Sequence, residues 1–376
     1  MKLKRVGVGI IGYGGVGRVH ALGYRSIPQH YGLPADVVQV VNVATAHKDT
    51  AQAAAREIGC DRWTDSYMEL IQDPDVDLVT VATPNDSHEE IVVAAAAAGK
   101  HVLCEKPVAR TVDEAKHMRD SVERAGVKAQ VNFNFRYYPA VQHARKLIDE
   151  GLLGRPFSYR ACFYRSSYID PQKPMSWRLR REASGGGALF DLGSHVLDAI
   201  YFLLGDFKAV MGVAETMIEE RPTAAGAQEK GAVNVDDLTL MLTRMANGPL
   251  GSIESSRLAT GATNEMSLEI YGDQGALRFN SEDPSWLHVC DVKSPRGGFM
   301  KVGVGGRFAD QLAPHWTMSP GFAPTFAAGQ FALLRAISED LRPAPNLDDG
   351  LHVQAVMEAA LRASREGRWI ALGEVL

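Results

Sequence analysis

The sequence has little of what would tie it to several large classes of protein. It has four cysteines in 376 residues, Cys60, Cys104, Cys162 and Cys290, widely scattered and never in a CxxC pair. That spacing offers neither a disulfide framework nor a zinc knuckle, so no metal is expected, and it fits a reducing compartment such as the cytoplasm. A concentrated basic stripe is also missing. The 40 Lys and Arg against 45 Asp and Glu leave a net charge of −5, and Arg178, Arg180 and Arg181 form only a short local cluster. Nucleic-acid and membrane-surface partners, which need such a stripe, are not expected. The Ala94–Ala98 run is far below membrane-spanning length and is flanked by charge. Met1-Lys2-Leu3-Lys4-Arg5 looks like the head of a signal peptide, but the apolar run behind it stops at Gly12. There is no internal repeat or low-complexity tract. The length exceeds one ordinary core and predicts two domains.

The first third alternates short apolar strands with helical patterns. Strands are expected at Val6–Ile11, Val37–Ala44, Asp77–Thr83, His101–Glu105 and Val127–Phe133. Helices are expected at Gly17–Ser26, Thr50–Ile58, Asp65–Gln72, Ser87–Ala98 and Asp113–Arg124. This alternation implies βαβ units with a parallel sheet. The pattern changes after Asn134, giving domains at 1–133 and 134–376. The second half offers a helix at Ala140–Glu150, an extended run at Phe157–Tyr164 and a helix at Ala188–Leu204 entered through Gly185-Gly186-Gly187. Strands joined by turns follow from Phe207 to Val292, then a Gly- and Pro-rich loop at Arg296–Pro320, then helices near Thr325–Leu341 and Gly350–Arg365.

Gly12-Tyr13-Gly14-Gly15-Val16-Gly17 is a GxGxxG between a predicted strand and a predicted helix, the setting in which this otherwise weak signal marks a dinucleotide site. Gly12 allows the tight turn, Gly14 a close approach of backbone to pyrophosphate, and Gly17 close helix–strand packing. An acidic residue that would bond the ribose 2′-hydroxyl of NAD is missing from the end of the second strand, Ala44-Thr45-Ala46-His47-Lys48. Asp36 lies at the wrong end of that strand, displaced by the insertion-like stretch Pro28–Ala35. Thr45 and Lys48 are groups able to receive a 2′-phosphate, so NADP is expected to be favoured over NAD. His47 and Lys48 read equally well as solvated helix-start residues. Glu105-Lys106-Pro107 aims a lysine from a strand end, where ligands bind in open α/β sheets. Taken alone, such a lysine is more often surface charge. Asp191 and His195 stand one helical turn apart, a spacing that lets a carboxylate orient an imidazole for acid–base work, although most such pairs are structural.

Together these landmarks resemble the GFO/IDH/MocA family (glucose–fructose oxidoreductase and inositol dehydrogenase) along almost the whole chain. The matching segments are Gly12–Gly17, Ala82-Thr83-Pro84-Asn85 with His88, Glu105-Lys106-Pro107, Asn134-Phe135-Arg136, Trp177-Arg178 and Gly185 through His195. The resemblance implies an α/β Rossmann domain followed by an α+β domain with a large, mostly antiparallel open sheet that mediates homodimers or homotetramers. It also implies that Lys106, Asp191 and His195 line the substrate site. Pro84, Asn85, Glu105, Lys106, Asn134, Trp177 and Arg178 are then candidates for the dinucleotide, with Trp177 alternatively a packing anchor and His88 a packing residue. The implied activity is an NAD(P)-dependent dehydrogenase or reductase acting on CH–OH groups of a sugar, polyol or inositol. His195 serves as base oriented by Asp191, and Lys106 hydrogen-bonds the same oxygen, roles that the two are able to exchange. A dihydrodiol or other non-sugar carbonyl is the alternative substrate, and a non-catalytic dinucleotide-binding sensor the alternative class.

Overall fold

Glycine punctuation and apolar periodicity lay out the first unit. In chain order the elements are β1 (Val6–Ile11), α1 (Gly15–Tyr31), β2 (Val38–Ala44), α2 (Lys48–Ile58), β3 (Arg62–Thr64), α3 (Tyr67–Gln72), β4 (Leu78–Val81), α4 (His88–Ala97), β5 (His101–Cys104), α5 (Val112–Ala125) and β6 (Ala129–Val131). There follow α6 (Pro139–Asp149), β7 (Pro156–Tyr164), α7 (Arg181–Ser184), α8 (Ser194–Leu204), β8 (Phe207–Glu215), β9 (Glu220–Pro222), β10 (Lys230–Ala232), β11 (Leu238–Met245) and β12 (Leu250–Ser256). The chain closes with β13 (Glu265–Gly272), β14 (Gly275–Asn280), β15 (Trp286–Asp291), β16 (Met300–Gly303), α9 (Phe322–Glu339), α10 (Leu347–Glu366) and β17 (Ile370–Ala371). The structure, a computed structural model, describes residues 3–304 and 321–376. Of the loop expected at Arg296–Pro320, Met300–Gly303 is β16, and 305–320 lie outside the described residues. The described chain divides into two compact units, one of 3–109, 113–137 and 321–351 and the other of 110–112, 138–304 and 352–376.

The first unit is built on a six-stranded sheet in the order β3-β2-β1-β4-β5-β6, all neighbours parallel. Parallel strands are covered on both faces, so they read as continuous apolar runs. Val8, Ile10, Val43, Leu78 and Leu103 are buried in one cluster with Tyr24 and Ile27 of α1 and Phe331 and Leu334 of α9. Each such aliphatic side chain contributes about 1.5–3 kcal/mol by leaving water. Helix α1 runs further than the sequence suggests, through Pro28 to a left-handed Gly32. Tertiary packing overrides the proline: Ile27 is fully buried, and Tyr31 stacks on Phe331 of α9 at 3.6 Å. Half of the apparent insertion is therefore the last turn of a helix. The three-residue β3 was not expected, being too short to show a period.

The second unit carries a nine-stranded sheet, β16-β15-β14-β13-β7-β12-β11-β8-β17. β7 and β12 run parallel and the other neighbours antiparallel. Alternation gives the sheet two unlike faces. Leu268, Ile270, Leu277, Phe279 and Leu287 pack against Val141 and Ala144 of α6 and Leu203 of α8. The opposite face carries Val213, Leu240 and Leu242, 51%, 46% and 53% exposed. The stretch Arg181–Leu204 is long and apolar enough to cross a membrane, but 83% of its most apolar window is buried in the protein, as for a core helix.

Candidate functional site

In the first unit the glycine turn is shaped by atoms that are missing. Gly12 has φ +90°, and a Cβ there would sit 2.5 Å from the Ala82 carbonyl oxygen. A Cβ on Gly17 would sit 2.3 Å from the Gly12 oxygen. Both positions need glycine for the backbone to close up. Gly14 and Gly15 differ: both are exposed, and a Cβ on either meets nothing within 4 Å among the described residues beyond its chain neighbours. Gly14 caps α1 without a side-chain hydrogen bond, and the first turn of α1 holds no acidic residue. The turn thus leaves the helix's first N–H groups and positive end for an anion, and its open glycines give room for a pyrophosphate. Tyr13 flanks it beneath the Arg18 guanidinium, its phenol pushed up to about 12 by burial and by Glu57, and so stays a neutral hydrogen-bonding group. The residues fit a dinucleotide.

At the end of β2, the Thr45 hydroxyl donates to the His47 carbonyl at 3.0 Å and lies 2.6 Å from the Thr50 hydroxyl. Lys48 is exposed at the start of α2. After β4, Pro84 and a buried Asn85 open a short 3₁₀ turn. His88 is fully buried, with Nε2 3.2 Å from the Thr83 carbonyl and Nδ1 3.1 Å from that of Pro107. Burial pushes its pKa down. The buried ring packs between the β4 loop and the lysine loop and, when neutral, donates to a carbonyl on one side only, a structural role.

Lys106 is partly exposed, and its peptide bond to Pro107 is cis. The Glu105 carboxylate beside it points inward. Its Oε1 accepts from His20 Nε2 at 2.9 Å and from Asn132 Nδ2 at 2.6 Å, and its Oε2 accepts the Lys106 N–H at 3.1 Å. Burial alone would push this carboxyl up, but His20, Lys106 and Asn132 outweigh it and hold it below the usual carboxylate range. Asn134 is also anchored internally, donating to the Thr325 hydroxyl at 2.8 Å.

In the second unit, the triple glycine lets a helix entrance dock on Asp236. The Asp236 carboxylate accepts from the N–H groups of Gly187 (2.7 Å) and Leu189 (2.8 Å), and its carbonyl accepts from Ala188 at 2.8 Å. A Cβ on Gly187 would fall 1.8 Å from that carbonyl oxygen. The next residues, Leu189–Gly193, form a π-helical turn before α8. Wider turns shift the expected one-turn spacing of Asp191 and His195, and π turns recur at functional sites. The Asp191 carboxylate pairs with Arg257, Oδ2 to Nη2 at 3.2 Å. Arg257 is 1% exposed, donates also to the Arg178 carbonyl and lies over the Tyr168 ring at 4.9 Å. It holds the carboxylate and the Trp177-Arg178 segment together, with the Arg178 guanidinium over the Trp177 ring at 4.3 Å. His195 is 6% exposed, with its ring 5.8 Å from that of Phe163.

Sequence reasoning missed His20, Asn132, Arg257 and Asp236. Each acts through a partner more than 20 residues away, and no local period announces such a pairing. Asn132 and Arg257 carry one faint signal: both stand immediately past a strand end, where polar residues face ligands or loops.

Residues 6–133 match the sequence model of the oxidoreductase family with an NAD-binding Rossmann fold, and residues 141–278 that of the GFO/IDH/MocA C-terminal domain. Levoglucosan dehydrogenase of Pseudarthrobacter phenanthrenivorans is 36% identical over 99% of this chain and 100% of its own length. 1,5-Anhydro-D-fructose reductase of Ensifer adhaerens is 33% identical over 64% of this chain and 67% of its own. The solved structure of levoglucosan dehydrogenase in complex with NADH and levoglucosan superposes with a TM-score of 0.93, at 36% identity, over 98% of this chain and 99% of that one. With an open glycine turn on a Rossmann sheet and full-length likeness to such enzymes, the chain belongs to the GFO/IDH/MocA family and is an NAD(P)-dependent oxidoreductase.

Proposed function

We propose that the protein oxidises a secondary alcohol of a sugar or a related cyclic polyol, with levoglucosan and 1,5-anhydro-D-fructose chemistry as the first to try. The observation that carries this reading is the full-length likeness to levoglucosan dehydrogenase, whose solved complex holds both NADH and the sugar. In this reading, residues 1–133 serve the dinucleotide, supported by 134–137 and 321–351 in the same compact unit, and the rest of 134–376 serves the sugar and self-association. The bound nicotinamide supplies the hydride acceptor. The chain's own residues handle the proton. The His195 imidazole takes the hydroxyl proton, Asp191 favours its cationic form, and the Lys106 ammonium donates a hydrogen bond to the same oxygen as negative charge develops. Arg257 fixes the Asp191 carboxylate, so that its charge is oriented before substrate arrives.

We also propose that NADP is preferred. What supports this is the absence of a carboxylate from residues 44–48 and the exposed Lys48 at the start of α2. Because the Thr45 hydroxyl is already engaged with His47 and Thr50, Lys48 carries most of this preference. For self-association, the support is the open face of the second unit's sheet. Met211, Val213, Leu240 and Leu242 line a groove of about 540 Å³ with Ile253, rimmed by Arg160, Glu254 and Glu269. An apolar centre within a charged rim fits a second copy of the same sheet.

Three outcomes are expected. With a sugar that the wild type oxidises, His195→Ala loses about 10²–10⁴-fold in kcat while dinucleotide affinity is retained; wild-type turnover in that variant refutes the base assignment. In steady-state comparison, kcat/KM is higher with NADP than with NAD, and Lys48→Ala narrows the ratio. A wild-type preference for NAD ends the Lys48 argument. Leu242→Glu lowers the mass measured by light scattering relative to the wild type, and an unchanged oligomer shows that this face is not the interface.

A further inference from the structure

His20 has no role in the chemistry above, yet its ring and carbonyl are held by partners from two other segments. It lies one turn beyond Gly17 on α1 and is fully buried. Its Nε2 is 2.9 Å from Glu105 Oε1, and its Nδ1 is 3.0 Å from Gln330 Nε2 on α9. The same Gln330 nitrogen donates to the His20 carbonyl at 3.0 Å, which identifies it as the amide NH₂. An amide NH₂ only donates, so Nδ1 accepts and the ring proton sits on Nε2, aimed at Glu105. Asn132 donates to the same carboxylate oxygen at 2.6 Å, leaving Oε2 for the Lys106 N–H at 3.1 Å. A chain of hydrogen bonds therefore runs from α9 through the helix that begins at the glycine turn to the residue before Lys106.

Packing alone does not call for this arrangement. An apolar side chain would fill the His20 site without the cost of desolvating a carboxylate beside it. The chain ends on one acceptor, and that acceptor holds the first N–H of the lysine loop. We propose that His20 and Glu105 are positioning residues for Lys106, the imidazole anchoring the carboxylate and the carboxylate fixing the backbone and charge of the lysine. This rests on the reading of Lys106 given above. The charged and titratable groups that act on Glu105 are His20 from α1, Lys106 beside it, His88 from α4 and Cys104 from β5; Asn132 and Gln330 complete the chain as neutral amides.

The test uses the full-length protein with His20→Leu, His20→Gln and Glu105→Gln, each alone and combined with Lys106→Met. Turnover of an oxidised sugar, dinucleotide affinity and thermal stability are measured. The pH dependence of Lys106 acetylation in dinucleotide-free protein is read by peptide mass spectrometry. His20→Leu is expected to lower kcat at least about ten-fold, as small displacements of a reacting group do, without a matching loss of dinucleotide affinity. His20→Gln, whose amide reaches the Nε2 position, recovers most of the loss. In the Lys106→Met background, His20→Leu costs no further kcat, because coupled residues are non-additive. The Lys106 acetylation curve moves to lower pH in His20→Leu and further in Glu105→Gln, since a lysine without its carboxylate deprotonates more readily. Should His20→Leu fail to fold, Glu105→Gln, which keeps the side chain's size, carries the same readouts. An undiminished penalty in the Lys106→Met background, or an unmoved acetylation curve, overturns the positioning role alone. Wild-type kcat in Lys106→Met overturns the assignment of Lys106 and the positioning role with it.

Discussion

The closing of β1 onto α1 through Gly12 and Gly17 is the constraint on which the first unit depends. Two absent Cβ atoms let the Gly12 carbonyl, the Ala82 carbonyl and the first helical turn crowd together at distances no side chain would allow. That crowding fixes where α1 begins. An uncapped helix start with no acidic neighbour then faces outward beside two glycines that fill no space of their own. The same residues therefore account for the backbone path and for the affinity of the turn for an anion. His20, one turn further along α1, inherits its position from this closure, and Glu105 and Lys106 follow from His20.

The second unit solves its own docking problem by the same means. Gly187 lets the entrance of the π turn rest directly on Asp236, whose carboxylate takes two N–H groups that a helix start would otherwise leave without partners. Asp191 then emerges from a widened turn with Arg257 as its counter-ion. A buried arginine held by one carboxylate, a carbonyl and an aromatic face is costly to desolvate, and its value lies in fixing a direction for the carboxylate rather than in net stability.

Much of this was legible in the residues. The alternation of strands and helices, the glycine turn and the change of pattern near Asn134 follow from local periodicity and turn chemistry, which a single chain displays openly. β3 was not visible because three residues carry no period, and the far end of α1 was hidden by Pro28, whose local signal is overridden by the stack of Tyr31 on Phe331. Type and spacing drew attention to Lys106, Asp191 and His195, but only the family resemblance raised them to site candidates. Their supports could not be picked out, because His20 meets Glu105 across 85 residues and Arg257 meets Asp191 across 66. Pairings of that span are products of topology. The π turn was equally hidden, since Leu189–Gly193 reads as an ordinary helix until its hydrogen bonds are traced.

The measurement closest to the centre of this account is the pair of dinucleotide affinity and unliganded melting temperature for Gly14→Ala. Beyond its neighbours in the chain, the new methyl group meets no atom of the described residues within 4 Å, so the fold has no reason to yield. A melting temperature within about 2 °C of the wild type is predicted, the size of shift that an ordinary surface substitution produces. The methyl does occupy the space assigned to the pyrophosphate, so affinity for NAD and NADP should fall at least about ten-fold, a loss of about 1.4 kcal/mol. A variant that melts like the wild type and binds both dinucleotides as tightly would contradict the account at its root.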